Sequence, residues 1–194
     1  TFADNEYKPM SKKVKRRMLR NLNRFCRQIN IERTSVWTFA KPGAEKYSSV
    51  TRDAFLGFGV SATSLLRTSF KINTFSIDGY IARVNKGQLP TSLTLRFTRR
   101  QRAVYYLFWG AYSMKIDRDK FEKIVGAPLR KMFGLELDLA EKAGLVKRKG
   151  NGYDITEKGS LIYHDIEQVY TTAYIDKMWN VLRNEAFPSK MILR

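Results

Sequence analysis

Apolar residues recur along most of the chain at helical spacing, with short stretches of strand-like alternation between them. Between residues 12 and 28 they fall every three or four positions, and Ser11 stands where a helix N-cap is expected. Alternating β-forming residues predict a strand over 33–39, and an apolar run predicts a second strand over 55–60. The Lys41-Pro42-Gly43-Ala44 stretch predicts a loop between these strands.

Helix-start and helix-stop residues divide the rest of the chain. Ser76 is placed to cap a short helix over 77–85, which Gly87 ends. We place a domain boundary at this helix. We therefore expect three parts: residues 1–75, a linker helix at 76–91, and a second domain at 92–194.

The C-terminal part has the order of elements of a winged helix. A capping box opens its first helix at Thr98, and two further helices are predicted over 118–125 and 128–143. Gly150-Asn151-Gly152 predicts a hairpin, the wing of such a fold, and a long helix over 157–185 follows it.

Composition indicates a folded chain that does not span a membrane. Apolar residues make up 43% of it, which is enough for a core, and no run is long enough to cross a bilayer. We therefore expect no membrane partner. The single cysteine, Cys26, argues against a disulfide framework and favours a reducing, cytoplasmic location.

The formal net charge of +18 favours anionic partners such as nucleic acid, phosphates or carboxylates. A basic surface without a specific ligand is the alternative. Basic residues cover the polar side of the helix predicted at 12–28, with no acidic residue among them. Such a helix is typical either of nucleic-acid contact or of the solvated outer face of a barrel helix.

The stretch at 53–64 is the strongest candidate for ligand contact, and three interpretations compete for it. The spacing of Gly57, Gly59 and Ala62 fits the dinucleotide-binding fingerprint, which requires a following helix and an acidic residue about 20 positions on, near Asp78. A buried strand of small residues, chosen for packing, is the second interpretation. The third comes from a resemblance.

Five segments carry that resemblance, in one order along most of the chain: SVWTFAKPG (35–43), LGFGVSATS (56–64), YIARVNKGQLP (80–90), LAEKAGLV (139–146) and ITEKG (155–159). They resemble the oxygen-independent coproporphyrinogen III oxidase family. These are radical S-adenosylmethionine (SAM) enzymes of haem biosynthesis, and their relatives include haem chaperones and methyltransferases.

The resemblance implies an α+β fold: the terminal α/β elements of a partial β/α barrel at 1–75, then a winged-helix-like, mainly helical domain at 92–194. In the intact enzyme a [4Fe–4S] cluster cleaves SAM to a 5′-deoxyadenosyl radical. The radical abstracts hydrogen from a porphyrinogen propionate, which leads to oxidative decarboxylation. The family holds its cluster with Cys-x-x-x-Cys-x-x-Cys, and this chain has one cysteine.

Alone, the chain is therefore expected to be non-catalytic and to bind neither cofactor tightly. It is either the C-terminal segment of a longer enzyme or a copy without the catalytic half, and its expected partners are the N-terminal remainder of the barrel and a porphyrinogen or haem-like substrate. Arg52 and Arg67 are candidates to meet propionates. The residues that the resemblance places beside SAM are Gly57, Gly59, Ser61, Ala62 and Thr63.

A nucleic-acid-binding winged helix is the alternative function. The helix at 128–143 would then enter the major groove, and the basic wing at 147–149 would touch the backbone. However, that helix mixes basic residues with acidic ones and has an apolar middle, so a packing or lid role is favoured.

Two smaller expectations complete the sequence analysis. The single histidine, His164, has no obvious His or Cys partner, so we predict no metal site and no catalytic residue in this chain. Open strand edges in a partial barrel would pair with another copy, so we also expect self-association.

Overall fold

The computed structural model of the chain describes residues 10–44 and 53–189, which belong to two compact units, Thr1–Tyr47 and Ser48–Arg194. The structure is 52% helical and 17% strand, and the described residues form no closed barrel. The α+β prediction is confirmed. The domain boundaries predicted near residues 75 and 92 stay a prediction.

The first unit begins with the predicted helix. Helix α1 spans Lys12–Gln28, and the Ser11 hydroxyl accepts a hydrogen bond from the backbone N–H of Val14 at 3.4 Å. A two-stranded antiparallel sheet follows, made of β1 (Glu32–Arg33) and β2 (Phe39–Ala40).

The prediction of one continuous strand over 33–39 is wrong, because the chain reverses direction within these residues. The Ser35 hydroxyl accepts hydrogen bonds from the backbone N–H groups of Trp37 (3.2 Å) and Thr38 (3.1 Å). The N–H of Thr34 also donates to the Thr38 carbonyl at 2.8 Å. A serine side chain that satisfies backbone groups within a turn competes with extended structure, and here the turn prevails.

The second unit begins with a three-stranded antiparallel sheet in the order β3-β4-β5, with α2 joining the last two strands. Ser76 caps α2 as predicted, by accepting from the N–H of Gly79 at 3.0 Å. The bounds are β3 (Thr63–Leu65), β4 (Ser69–Asn73), α2 (Ile77–Asn85) and β5 (Thr91–Arg96).

The strand predicted over 55–60 is also wrong. Of that run only Phe55 makes a ladder contact, an isolated antiparallel bridge to Leu65. Gly59 has φ +102° and Ser61 has φ +58°, and neither value is compatible with extended strand. The apolar run therefore forms a loop, and the sheet starts after it at β3.

The remainder of the second unit follows the predicted order of elements. The capping box at Thr98 and Gln101 forms, Gly126 ends the second helix in the left-handed conformation, and the hairpin forms. A short strand that the sequence analysis did not identify, β6, pairs with the hairpin to give the sheet order β6-β8-β7. The bounds are α3 (Arg99–Tyr112), β6 (Lys115–Asp117), α4 (Arg118–Val125), α5 (Leu129–Lys142), β7 (Val146–Lys149) and β8 (Gly152–Ile155).

The predicted long C-terminal helix consists of three consecutive helical segments. Helix α6 spans Glu157–Tyr170, a π-helical turn covers Thr171–Ile175, and α7 spans Asp176–Asn184. Within the described residues, none of the helices has the length and apolarity needed to cross a bilayer.

Helices α3, α4 and α5 pack with the β6-β8-β7 sheet around one apolar core. Phe121 lies fully buried in it, in edge-to-face contact with Tyr106 and Phe133. The buried members of the core are Ala103, Ile116, Phe121, Val125, Leu129, Phe133, Leu137, Val146, Tyr153 and Ile155.

Truncation of Phe121 should destabilise the protein far more than truncation of an exposed apolar residue. We expect Phe121→Ala to lower the free energy of unfolding by about 3–5 kcal/mol, because it leaves a cavity among fixed neighbours. Leu135→Ala is the control: Leu135 is 71% exposed, so its change should stay within about 0.5 kcal/mol. Urea denaturation of both variants measures the difference, and equal losses would contradict this description of the core.

Candidate functional site

The predicted site residues lie in the loop before β3 and at the first residue of β3; this segment, residues 57–63, is named here the glycine loop. Its base is closed by two backbone hydrogen bonds, from the N–H of Phe55 to the Leu65 carbonyl (3.0 Å) and from the N–H of Leu65 to the Phe55 carbonyl (2.9 Å). The N–H of Gly57 donates to the Ser64 hydroxyl at 3.0 Å. The loop is therefore tied to the edge of the β3-β4-β5 sheet at both of its ends.

The peptide groups of Gly59 are held by two side chains. The N–H of Gly59 donates to the Tyr80 hydroxyl at 3.2 Å, and its carbonyl accepts from the Asn73 side-chain amide at 3.0 Å. Just beyond, the N–H of Ser61 donates to the Thr74 carbonyl at 2.9 Å. Because β4 and α2 provide these partners, secondary structure fixes the loop conformation.

The two glycines of the loop serve different purposes. A Cβ on Gly57 would collide with the backbone carbonyl of Thr63, so close chain packing requires glycine there. Gly59 needs glycine for its positive φ, and apart from its two chain neighbours no residue has an atom within 4 Å of where its Cβ would stand. Bare backbone at Gly59 is therefore open to an approaching ligand, beside the 86% exposed ring of Phe58.

The dinucleotide-binding interpretation of this stretch is wrong. That motif places its glycines before a helix N-terminus, which binds the pyrophosphate. Here the chain passes from Gly59 into β3, and Asp78 lies exposed in the first turn of α2.

An arginine in α3 anchors the segment that leads into the loop. Arg102 is only 4% exposed, and its guanidinium donates to the Asp53 carbonyl at 2.7 Å. Burial lowers the pKa of Arg102. The Asp53 carboxylate pairs with Lys120 at 3.0 Å. Sequence reasoning missed this anchor, because an arginine in the first turn of an amphipathic helix carries no signal that it is buried against a carbonyl 49 positions away.

The structure brings the five predicted SAM-contacting residues together in the glycine loop, and their contact with SAM stays a prediction. Arg67 lies exposed between β3 and β4, and Arg52 lies outside the described residues. His164 is half-buried, with Nδ1 3.7 Å from a Glu167 carboxylate oxygen. In the parts of the chain that the structure covers, 10–44 and 53–189, no His, Cys, Asp or Glu cluster could hold a metal.

The two arginines of α5 and the hairpin, Arg130 and Arg148, are engaged with carboxylates. Arg130 donates two hydrogen bonds to Asp138, both of 2.9 Å, and these hold the pKa of Asp138 below its usual range. Arg148 donates to Glu141 at 2.7 Å and to Asp138 at 3.0 Å. Both are arginines that a nucleic-acid interpretation would assign to phosphates or bases. Arg148 ties β7 to α5, whereas the Arg130 ion pair lies within α5.

Removal of one hydroxyl should loosen the glycine loop. We expect Tyr80→Phe to cost about 1 kcal/mol of stability and to speed hydrogen exchange at the Gly59 amide, which loses its acceptor. Tyr174→Phe, at an exposed tyrosine of the π-helical turn, is the control and should change neither quantity. Unchanged exchange at Gly59 in Tyr80→Phe would show that the hydroxyl does not hold the loop.

Comparison with known proteins identifies one relevant fold. No protein-family model matches the chain, and no curated protein matches it. Among solved structures, coproporphyrinogen III oxidase from Escherichia coli, described as a radical SAM enzyme, matches with a TM-score of 0.55 and 20% sequence identity.

That match covers 76% of this chain and 38% of the E. coli enzyme, in its C-terminal part. The chain therefore spans well under half the length of the protein it matches. At this level of identity the match shows a common fold. The fold of this chain is similar to the C-terminal part of a coproporphyrinogen III oxidase.

Proposed function

We propose that this chain is the C-terminal segment of a coproporphyrinogen III oxidase-like radical SAM enzyme of porphyrin metabolism. The observation that carries the proposal is the fold similarity to the E. coli enzyme over 76% of this chain. The proposed role of the chain is to form part of the surface on which SAM rests, and to supply a winged-helix-like packing or lid domain. Its location would be the cytoplasm.

The glycine loop suits a SAM-facing surface. A flat group can approach the open backbone at Gly59, and the hydroxyls of Ser61 and Thr63 offer hydrogen bonds nearby. Tyr80 and Asn73 already hold the Gly59 peptide groups, so a ligand would not have to order the loop on binding. The role proposed for Gly57 is indirect, since it lets the loop lie against the Thr63 backbone.

In the intact enzyme, SAM and a [4Fe–4S] cluster supply the radical chemistry of oxidative decarboxylation. Three thiolates are needed for such a cluster and this chain has one cysteine, so the ligands would come from the N-terminal remainder of the barrel. The proposed substrate is a porphyrinogen, whose propionates suit the positive charge of the chain.

The ion pairs agree better with a packing role for residues 92–194 than with nucleic-acid binding. Asp138 and Glu141 occupy the guanidinium groups of Arg130 and Arg148, and free carboxylates at that surface would repel phosphates. The ion pairs of Arg148 instead tie the hairpin to α5.

A SAM titration of the isotope-labelled chain, followed by amide NMR shifts, tests this proposal. We expect weak binding, with the shifted amides clustered at residues 57–63. Gly59→Val should weaken binding by about tenfold or more, because its side chain would fill the open space above the backbone.

Gly126→Val is the matched control. Gly126 also has a positive φ and open space at its Cβ position, but it lies at the end of α4. Both substitutions place a β-branched residue at a positive φ, but only the Gly59 variant should lose SAM. Shifts spread over α5 and the hairpin, or equal losses in the two variants, would contradict the proposed site.

A further inference from the structure

We propose that residues 176–187, named here the C-terminal clamp, hold α2 in the position from which Tyr80 fixes the glycine loop. The clamp consists of α7 and the residues that follow it. It contacts the residue before the α2 N-cap, α2 itself and β5. That the ligand of the glycine loop is SAM rests on the function proposed above, whereas the hold of the clamp on the loop does not.

Helix α2 needs support from outside itself. It has nine residues, all of them described by the structure, and none of them is buried. A helix this short is marginal unless other elements pack against it. Its contacts with the rest of the chain therefore decide where Tyr80 stands.

The helix that leads to the clamp is packed against α3. The Phe108 ring of α3 lies 5.0 Å from the Tyr163 ring and 5.5 Å from the Tyr170 ring of α6, measured between centroids. After the π-helical turn, α7 buries Leu182, which is 1% exposed. The chain thus returns from α3 to α2 along a packed path.

The first contact of the clamp lies between the glycine loop and α2. The Trp179 ring of α7 and the Phe75 ring have centroids 6.1 Å apart. Phe75 follows Thr74, whose carbonyl accepts the hydrogen bond from the Ser61 N–H, and it precedes Ser76, the N-cap of α2. Trp179 therefore packs where a partner of the loop joins the helix.

The second contact lies on α2 itself. The Arg83 guanidinium carbon stands 4.3 Å from the centroid of the Phe187 ring, close enough for a cation–π attraction. A Cβ on Gly79 would stand 3.3 Å from Cε2 of the same ring, so the ring lies against the helix backbone there. Gly79 directly precedes Tyr80, and Phe187 therefore packs on the part of α2 that carries the Tyr80 hydroxyl.

The third contact attaches the clamp to the sheet. The Ser92 hydroxyl of β5 donates to the Ala186 carbonyl at 2.8 Å. Strand β5 pairs with β4, which carries Asn73, the other side chain that holds Gly59. Since Ala186 immediately precedes Phe187, the ring on α2 is anchored to the same sheet as the loop.

The hydrogen bond at Gly59 depends on the position of α2. The Gly59 N–H lies 3.2 Å from the Tyr80 hydroxyl, at the long end of the range for such bonds. An outward shift of α2 by a few tenths of an ångström would therefore weaken it. We infer that the clamp prevents this shift.

Hydrogen exchange of the full chain, followed by amide NMR, tests the inference. Phe187→Ala should speed exchange at the Gly59 amide about tenfold or more, while the β8 amides beside Phe121 keep their rates. Tyr174→Ala is the control, since it truncates a ring of the π-helical turn that contacts Tyr170. Unchanged exchange at Gly59 in Phe187→Ala, or equal changes in both variants, would overturn the inference.

A double-mutant cycle tests whether Phe187 acts through Tyr80. In the Tyr80→Phe background the acceptor of the Gly59 N–H is already absent, so Phe187→Ala should change Gly59 exchange less than about twofold further. Phe187→Tyr keeps an aromatic ring over Arg83 and should retain the wild-type rate. Additive effects of the two substitutions would overturn the route through Tyr80.

A milder variant keeps the test valid if Phe187→Ala unfolds the C-terminal residues. Ser92→Ala removes only the hydrogen bond to the Ala186 carbonyl. It should speed exchange at Gly59 by about threefold or more, with unchanged circular dichroism. A wild-type rate at Gly59 in Ser92→Ala would then overturn the inference.

SAM titration of the same variants separates this inference from the proposed function. We expect Phe187→Ala to bind SAM about threefold or more weakly than the wild-type chain, because a loop that spends less time in the binding conformation has a lower apparent affinity. Unchanged SAM affinity despite faster Gly59 exchange would overturn a role of the clamp in ligand binding. No SAM binding by the wild-type chain would count against the proposed function, and the exchange rates at Gly59 would still decide whether the clamp holds the loop.

Discussion

The candidate site depends on how the peptide groups of Gly59 are held. The Tyr80 hydroxyl of α2 and the Asn73 side-chain amide of β4 hydrogen-bond to these groups. They thereby hold the positive-φ backbone of Gly59 in one conformation. Hydrogen bonds of this kind contribute about 1 kcal/mol each to stability, but their greater effect is geometric. They keep a glycine with open space above it facing outward, and any ligand contact with the glycine loop requires that arrangement.

The helical part of the second unit holds the segment that leads into the glycine loop. Buried Arg102 connects α3 to the Asp53 carbonyl, and the core around Phe121 keeps α3 and α4 in place. Beyond the core, Arg148 of the hairpin pairs with Asp138 and Glu141 of α5. These ion pairs occupy two of the arginines that the nucleic-acid alternative would need for phosphates or bases.

Sequence predicted the features that local chemistry decides. Ser11, Ser76 and Thr98 cap helices as expected, because a cap needs only residues within one turn. Both failed strands, 33–39 and 55–60, contain turns formed by a serine side chain or a positive φ, which apolar alternation does not reveal. Tyr80 and Arg102 reach partners 21 and 49 positions away, so no spacing rule could have identified them.

The most direct test of the proposed enzyme is the coding sequence immediately upstream of Thr1. We predict an in-frame segment of barrel length that contains Cys-x-x-x-Cys-x-x-Cys, since the cluster thiolates must come from outside these residues. A start codon directly before Thr1 would contradict the proposal that the chain belongs to a radical SAM enzyme with its own cluster.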